Sequence, residues 1–162
     1  MDVVYLDNNA TTKVDRAVLE AMMPFFEENY GNPSSMHTFG GSVGASIQTA
    51  RQQVAELIGA SADEIVFNSC GTESDNTAIQ ATLASYPDKR HIITSRVEHP
   101  AIKSLYEALA QDGYRVTFVP VDGQGNLDLD YFYDNLTDDT AIVSLMWANN
   151  ETGVIFPVEE IS

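Results

Sequence analysis

The sequence predicts an α/β layered fold built on a largely parallel sheet. Two observations carry this. From residue 65 onward, short runs that are apolar throughout recur along the chain, and segments with helical spacing of apolar residues separate them. Strands buried on both faces read as continuous apolar runs, and their alternation with amphipathic helices marks crossover connections in a parallel sheet.

Each element has its own signal. Asp15 to Glu28 reads as a helix, with Asp15 suited to the N-cap and Leu19, Met22, Met23 and Phe26 on one side. Pro24 predicts a kink or an early break, because it removes a helical hydrogen bond. Tyr30 to Gly44 is rich in Gly, Ser, Asn and Pro and reads as a long loop. Ile47, Ala50, Val54, Leu57 and Ile58 then recur at helical spacing, and Gly59 is a natural stop. Ile65-Val66-Phe67 reads as a strand, Asp75 to Ala84 as a helix and Ile92-Ile93-Thr94 as a strand. Pro100 to Gln111 reads as a helix ended by Gly113. Val116 to Val119 follows as a strand, Asp128 to Leu136 as a short helix and Ala141 to Trp147 as a strand. A further helix opens near Pro157, so the polypeptide is expected to continue beyond Ser162.

Composition narrows the functional classes. The chain has 162 residues, 44% apolar and 20% charged, enough for one domain with a real core. Its net charge is -16, from 24 acidic side chains against eight Lys and Arg. That balance argues against nucleic acid and against an anionic membrane surface, both of which select clustered Lys and Arg. A single cysteine, Cys70, excludes a disulfide framework or a cysteine-rich metal site, so no metal is expected. No apolar run approaches the ~20 residues that span a bilayer. Met1 to Tyr5 carries no secretory pattern, and a cytoplasmic protein is the expectation.

Ligands of parallel α/β sheets bind at the carboxyl ends of the strands. Three polar turns leave such ends: Asn68 to Asn76, Ser95 to Pro100 and Ala148 to Gly153. In the first, Gly71 allows close backbone approach and Thr72 can cap the next helix, so free N–H groups could receive an anion. The alternative is a plain capping box over Thr72-Glu73-Ser74-Asp75. Glu73 and Asp75 would repel an anion unless they point away along the helix. His99, just before Pro100, could stack on a flat heteroaromatic ring or relay a proton, or simply cap its helix. Asn149 and Asn150 could donate to a ligand oxygen, or serve the turn itself.

Taken together, these segments resemble the class V aminotransferase superfamily, and within it the cysteine desulfurases of the NifS/IscS type. The carrying motifs are Tyr5-Leu6-Asp7-Asn8-Asn9-Ala10-Thr11-Thr12, Gly31-Asn32-Pro33-Ser34-Ser35 with His37, and Arg51. They continue with Ser69-Cys70-Gly71-Thr72-Glu73-Ser74-Asp75-Asn76, Val97-Glu98-His99 and Asn149-Asn150-Glu151-Thr152-Gly153. The resemblance spans the whole chain. It implies an N-terminal arm over residues 1–15. Residues 16–162 would then be the N-terminal part of the large domain of a fold-type I enzyme that uses pyridoxal 5'-phosphate. It implies a homodimer that takes sulfur from L-cysteine, leaving alanine and an enzyme persulfide, and passes it to an iron–sulfur scaffold or another acceptor protein. It places Gly71 and Thr72 at the cofactor phosphate, His99 over the pyridine ring as stacker and acid/base catalyst, and Asn150 beside the ring's phenolic oxygen.

The family's Schiff-base lysine is not matched. Lys13, Lys89 and Lys103 all stand outside the Ser-x-His-Lys setting. The ring-nitrogen acid, the substrate-binding arginine and the persulfide cysteine belong further along the family's sequence. Cys70 matches a position beside the phosphate turn and is read as packing near the cofactor. The chain alone is therefore expected to be inactive. A selenocysteine lyase is the nearest sister activity. From another class, the chain could be a non-catalytic binding or dimerisation module, or half of a split enzyme.

Overall fold

The computed structural model describes residues 3–162; Met1 and Asp2 of the expected N-terminal arm, and of the segment read for a secretory pattern, lie outside it. The chain forms two compact units, Met1–Phe67 and Asn68–Ser162.

The first unit is helical. Helix α1, Arg16–Glu27, starts where Asp15 accepts a hydrogen bond from the Ala17 N–H at 2.8 Å. The break expected at Pro24 does not occur. Proline withholds one N–H, but its carbonyl accepts from Glu28 at 2.9 Å and from Asn29 at 2.8 Å, so the last turn closes normally. Helix α2, Thr38–Ile58, begins within the stretch expected to be loop, and His37 Nδ1 accepts from the Gly40 N–H at its start. In the sequence, the glycines there contribute to the reading of a long loop. Their role is close approach: a Cβ on Gly40 would sit 2.3 Å from the Asn32 carbonyl oxygen. The Gly31 to Ser35 motif is thus a turn packed on the first turn of α2. Gly59 ends the helix in the left-handed region, at φ 70°.

A 3-10 turn, Ala62–Glu64, follows, and Ile65 is extended. The strand expected at Ile65-Val66-Phe67 is not formed; this segment joins no ladder among the described residues. Its carbonyl at Ile65 accepts from the Arg51 guanidinium instead, which also lies 4.9 Å from the Phe67 ring centre.

The second unit is the α/β layer. Helix α3 is Gly71–Ser85, strand β1 His91–Ser95, helix α4 Pro100–Gln111 and strand β2 Arg115–Val119. Helix α5, Leu129–Asn135, strand β3, Thr140–Ser144, and helix α6, Val158–Ile161, complete it. The expected strand over Ala141 to Trp147 is therefore shorter. Its end is drawn into the turn, where Phe156 N–H donates to the Trp147 carbonyl at 2.8 Å. The sheet has three strands in the order β2-β1-β3, and both pairings are parallel.

Successive residues of a strand face opposite sides. Ile92 packs on one side with Ile79 and Leu83 of α3 and Ile102 and Tyr106 of α4. Ile93 packs on the other with Val119, Leu127, Phe132 of α5 and Phe156. All five residues of β1 are buried, which is why its apolar run shows no alternation.

His91 pins the amino ends of the strands. Its fully buried ring bonds Thr140 Oγ1 at 2.9 Å and Thr117 Oγ1 at 2.9 Å, one on each neighbouring strand. Burial, helped by the Arg115 charge, holds its pKa below the ordinary value. The unfolded chain therefore takes up a proton first, and stability falls as pH drops below ~6.5. Denaturant titrations across that range are expected to show this slope, and His91→Gln to flatten it. A second pair of variants tests the α2 turn. Gly40→Ala is expected to destabilise by about 1–3 kcal/mol through overpacking. Gly41→Ala, whose Cβ meets nothing within 4 Å, is expected to stabilise by up to ~1 kcal/mol.

Candidate active site

Because β1 and β3 are parallel neighbours, the segments that leave their carboxyl ends emerge at the same edge. One carries Glu98 and His99, the other Asn149 and Asn150. Helix α3 packs against both α4 and β3. A cleft of about 240 Å³ opens there, lined by Asp75 of α3, Glu98, His99 and Ile102 of the α4 side, and Ser144 to Met146.

Helix α3 begins one turn earlier than its sequence signal. Cys70 is the N-cap residue and Gly71 the first helical one, so Thr72 lies inside the helix rather than capping it. The capping box over Thr72 to Asp75 is replaced by another contact. Glu73 turns back and accepts from the Ser69 N–H at 2.7 Å and the Ser69 hydroxyl at 2.6 Å. These bonds, the hydroxyl first, hold its carboxyl below the ordinary range, so it stays anionic. Neither carboxylate points away along the helix, the arrangement under which the sequence reading admitted an anion: Glu73 folds toward the helix start, and Asp75 faces the cleft. A Cβ added at Gly71 would meet nothing within 4 Å, so the approach to the first turn is open.

Cys70, read from the sequence as packing near the cofactor, is exposed in this chain. Its thiol pKa is lowered, first by the Glu73 N–H, then by Ser69, with smaller help from Thr72. The donors of a helix start favour a thiolate there.

His99 is the N-cap of α4, and its Nδ1 accepts from the Ala101 N–H at 3.2 Å, with Pro100 opening the helix. The capping role and an exposed imidazole coexist, since only one ring nitrogen is used. Beside it, Glu98 is half-buried and takes donors from the Met146 N–H at 2.9 Å and the Ser95 hydroxyl at 2.8 Å. Burial pushes its carboxyl above the ordinary range, and these two hydrogen bonds oppose the shift.

The two asparagines part company. Asn149 is buried, and its Oδ1 accepts from Glu151 N–H at 3.0 Å, Thr152 N–H at 2.9 Å and Thr152 Oγ1 at 3.2 Å. Its Nδ2 donates to the Val97 carbonyl at 3.3 Å and to Met146 Sδ at 3.4 Å, so both ends of the amide are engaged within the protein. Asn150 is exposed, with Nδ2 donating to Glu151 at 2.8 Å. Sequence reasoning marked the turns that hold Glu98 and Asp75 but gave neither acid a part in the cleft. Lys89 donates to the Thr140 carbonyl at 3.2 Å, at the amino end of β3, and Lys103 pairs with Glu107 at 4.0 Å on exposed α4. Neither stands in the cleft lining.

Known proteins share this arrangement. The aminotransferase class-V family model matches residues 4–162, and the chain belongs to that family. A cysteine desulfurase of Trichormus azollae is 60% identical over 161 residues, covering 99% of this chain and 40% of its own. Cysteine desulfurase NifS of Azotobacter vinelandii is 56% identical over 160 residues, covering 98% and 40%. A solved structure described as a NifS-like protein superposes with a TM-score of 0.92 at 43% identity, covering 98% of this chain and 44% of that one. The chain thus spans about 40% of the length of these curated relatives. Among the described residues no group of three or more His, Cys, Asp or Glu could hold a metal, and no helix is long and apolar enough to cross a membrane.

The buried and the exposed asparagine make a direct comparison. Asn149→Ala strips acceptors from two backbone N–H groups and is expected to destabilise by about 1–3 kcal/mol. Asn150→Ala is expected to stay within about 0.5 kcal/mol. Denaturant titration, with amide exchange at Glu151 and Thr152, separates the two.

Proposed function

We propose that this chain supplies the cofactor-side turns of a pyridoxal-phosphate-dependent cysteine desulfurase. The observation that carries the reading is the shared edge of the parallel sheet, where the turns bearing His99 and Asn150 emerge and where Asp75 of α3 lines one cleft with His99. The residues present fit the cofactor. The first N–H groups of α3 suit a phosphate, an exposed imidazole suits a flat ring and an exposed carboxamide suits a ring oxygen. When bound, pyridoxal phosphate supplies the electron sink.

The chain's own side chains would divide the remaining work. Gly71 and Thr72 would hold the phosphate through backbone N–H groups, Thr72 adding its hydroxyl. His99 would stack on the ring and move a proton at the imidazole nitrogen that Ala101 does not engage. Asn150 would donate to the ring oxygen. Glu73 accepts from the Ser69 N–H and hydroxyl, two donors that offset its charge at the helix start.

In this reading residues 1–15 are an N-terminal arm and 16–162 the first part of the large domain. Sulfur passes from L-cysteine to an enzyme persulfide with alanine left behind, and then to an iron–sulfur scaffold or another acceptor protein. A cytoplasmic homodimer is the expected form.

The test uses the full-length protein. It is expected to bind pyridoxal phosphate and to convert L-cysteine to alanine with a persulfide formed. His99→Ala is expected to slow turnover about 10²- to 10⁴-fold, and Thr72→Val to weaken cofactor binding. A full-length protein that releases no alanine from cysteine, or in which His99→Ala turns over normally, would contradict the assignment.

A further inference from the structure

We propose that Glu98 and Asn149 are positioning residues that lock the turn bearing His99 to the turn bearing Asn150. The proposal rests on the cofactor reading given above. Each acts from its own turn on the opposite one. Glu98, on the β1 side, accepts from the Met146 N–H at 2.9 Å on the β3 side. Asn149, on the β3 side, donates to the Val97 carbonyl at 3.3 Å on the β1 side. In both ties the donor is on the β3 side and the acceptor on the β1 side, but each turn supplies one of the two side chains, so the turns cannot part without losing both.

Each anchor also stiffens its own turn. Glu98 takes the Ser95 hydroxyl at 2.8 Å, and Asn149 gathers the Glu151 and Thr152 N–H groups. In both turns the anchor is the residue just before the exposed one. Glu98 is half-buried and His99 exposed; Asn149 is buried and Asn150 exposed. Inward side chains fix the spacing with which the outward pair meets a ligand. Preorganisation of this kind costs nothing at the moment of binding.

Both Glu98 contacts are acceptances, so a carboxamide oxygen can replace the carboxylate. That sets the test, made on the full-length protein. Glu98→Ala is expected to raise the pyridoxal-phosphate dissociation constant about tenfold and to diminish the visible circular dichroism of the bound cofactor. Its KM for L-cysteine should move less than its kcat. Glu98→Gln is expected to restore all three. Glu98→Asp, one methylene short, serves if the alanine variant does not fold.

Wild-type protein that binds no pyridoxal phosphate would sink the underlying reading. Wild-type protein that binds it, with Glu98→Ala or Glu98→Asp unchanged in dissociation constant and dichroism, would overturn the lock alone. A lower melting temperature without those changes would do the same. So would equal losses in Glu98→Gln and Glu98→Ala, since charge rather than the tie would then be at work.

Discussion

The parallel pairing of β1 with a strand on each side is the constraint on which the second unit depends. Its five residues are buried, its register is fixed against both neighbours, and its two faces seed two separate cores. A one-residue slip would exchange Ile92 and Ile93 between those cores and place His91 away from both threonines. Register and site are therefore coupled. The strand that cannot slip is the strand that delivers Glu98 and His99, and its neighbour delivers Asn149 and Asn150.

The polar groups divide along the same axis. At the amino ends of the strands, His91 and the threonines spend their hydrogen bonds on one another. At the carboxyl ends, Ser95, Glu98 and Asn149 turn inward while His99 and Asn150 remain exposed. Parallel sheets gather ligands at that second end because the helix starts there present N–H groups rather than carbonyls. Helix α4 begins at a turn of this kind, with a histidine at its start.

Much of this was legible in the sequence, for identifiable reasons. Helix α4 was read to the residue because Pro100 and Gly113 bracket an unambiguous apolar stripe. The parallel sheet was legible because β1 has no polar alternation. Other features were hidden. Ile65-Val66-Phe67 has the apolar run of a strand, but pairing is a long-range property that a three-residue window does not contain. The start of α2 was hidden because glycine in a sequence signals freedom, whereas Gly40 is dictated by a backbone oxygen 2.3 Å from where its Cβ would lie. At the candidate site, the exposure of His99 and Asn150 was legible because both are polar residues in turns after strands. The burial of Asn149 and Glu98 was not, because it depends on how one turn meets the other.

The most direct measurement is an electron-density map of the full-length protein with pyridoxal phosphate bound. The ring should lie against His99 with its oxygen toward Asn150, and the phosphate should sit on the N–H groups of Gly71 and Thr72. A cofactor found away from these three turns, at the amino ends of the strands or elsewhere, would contradict the assignment of this edge as the active site.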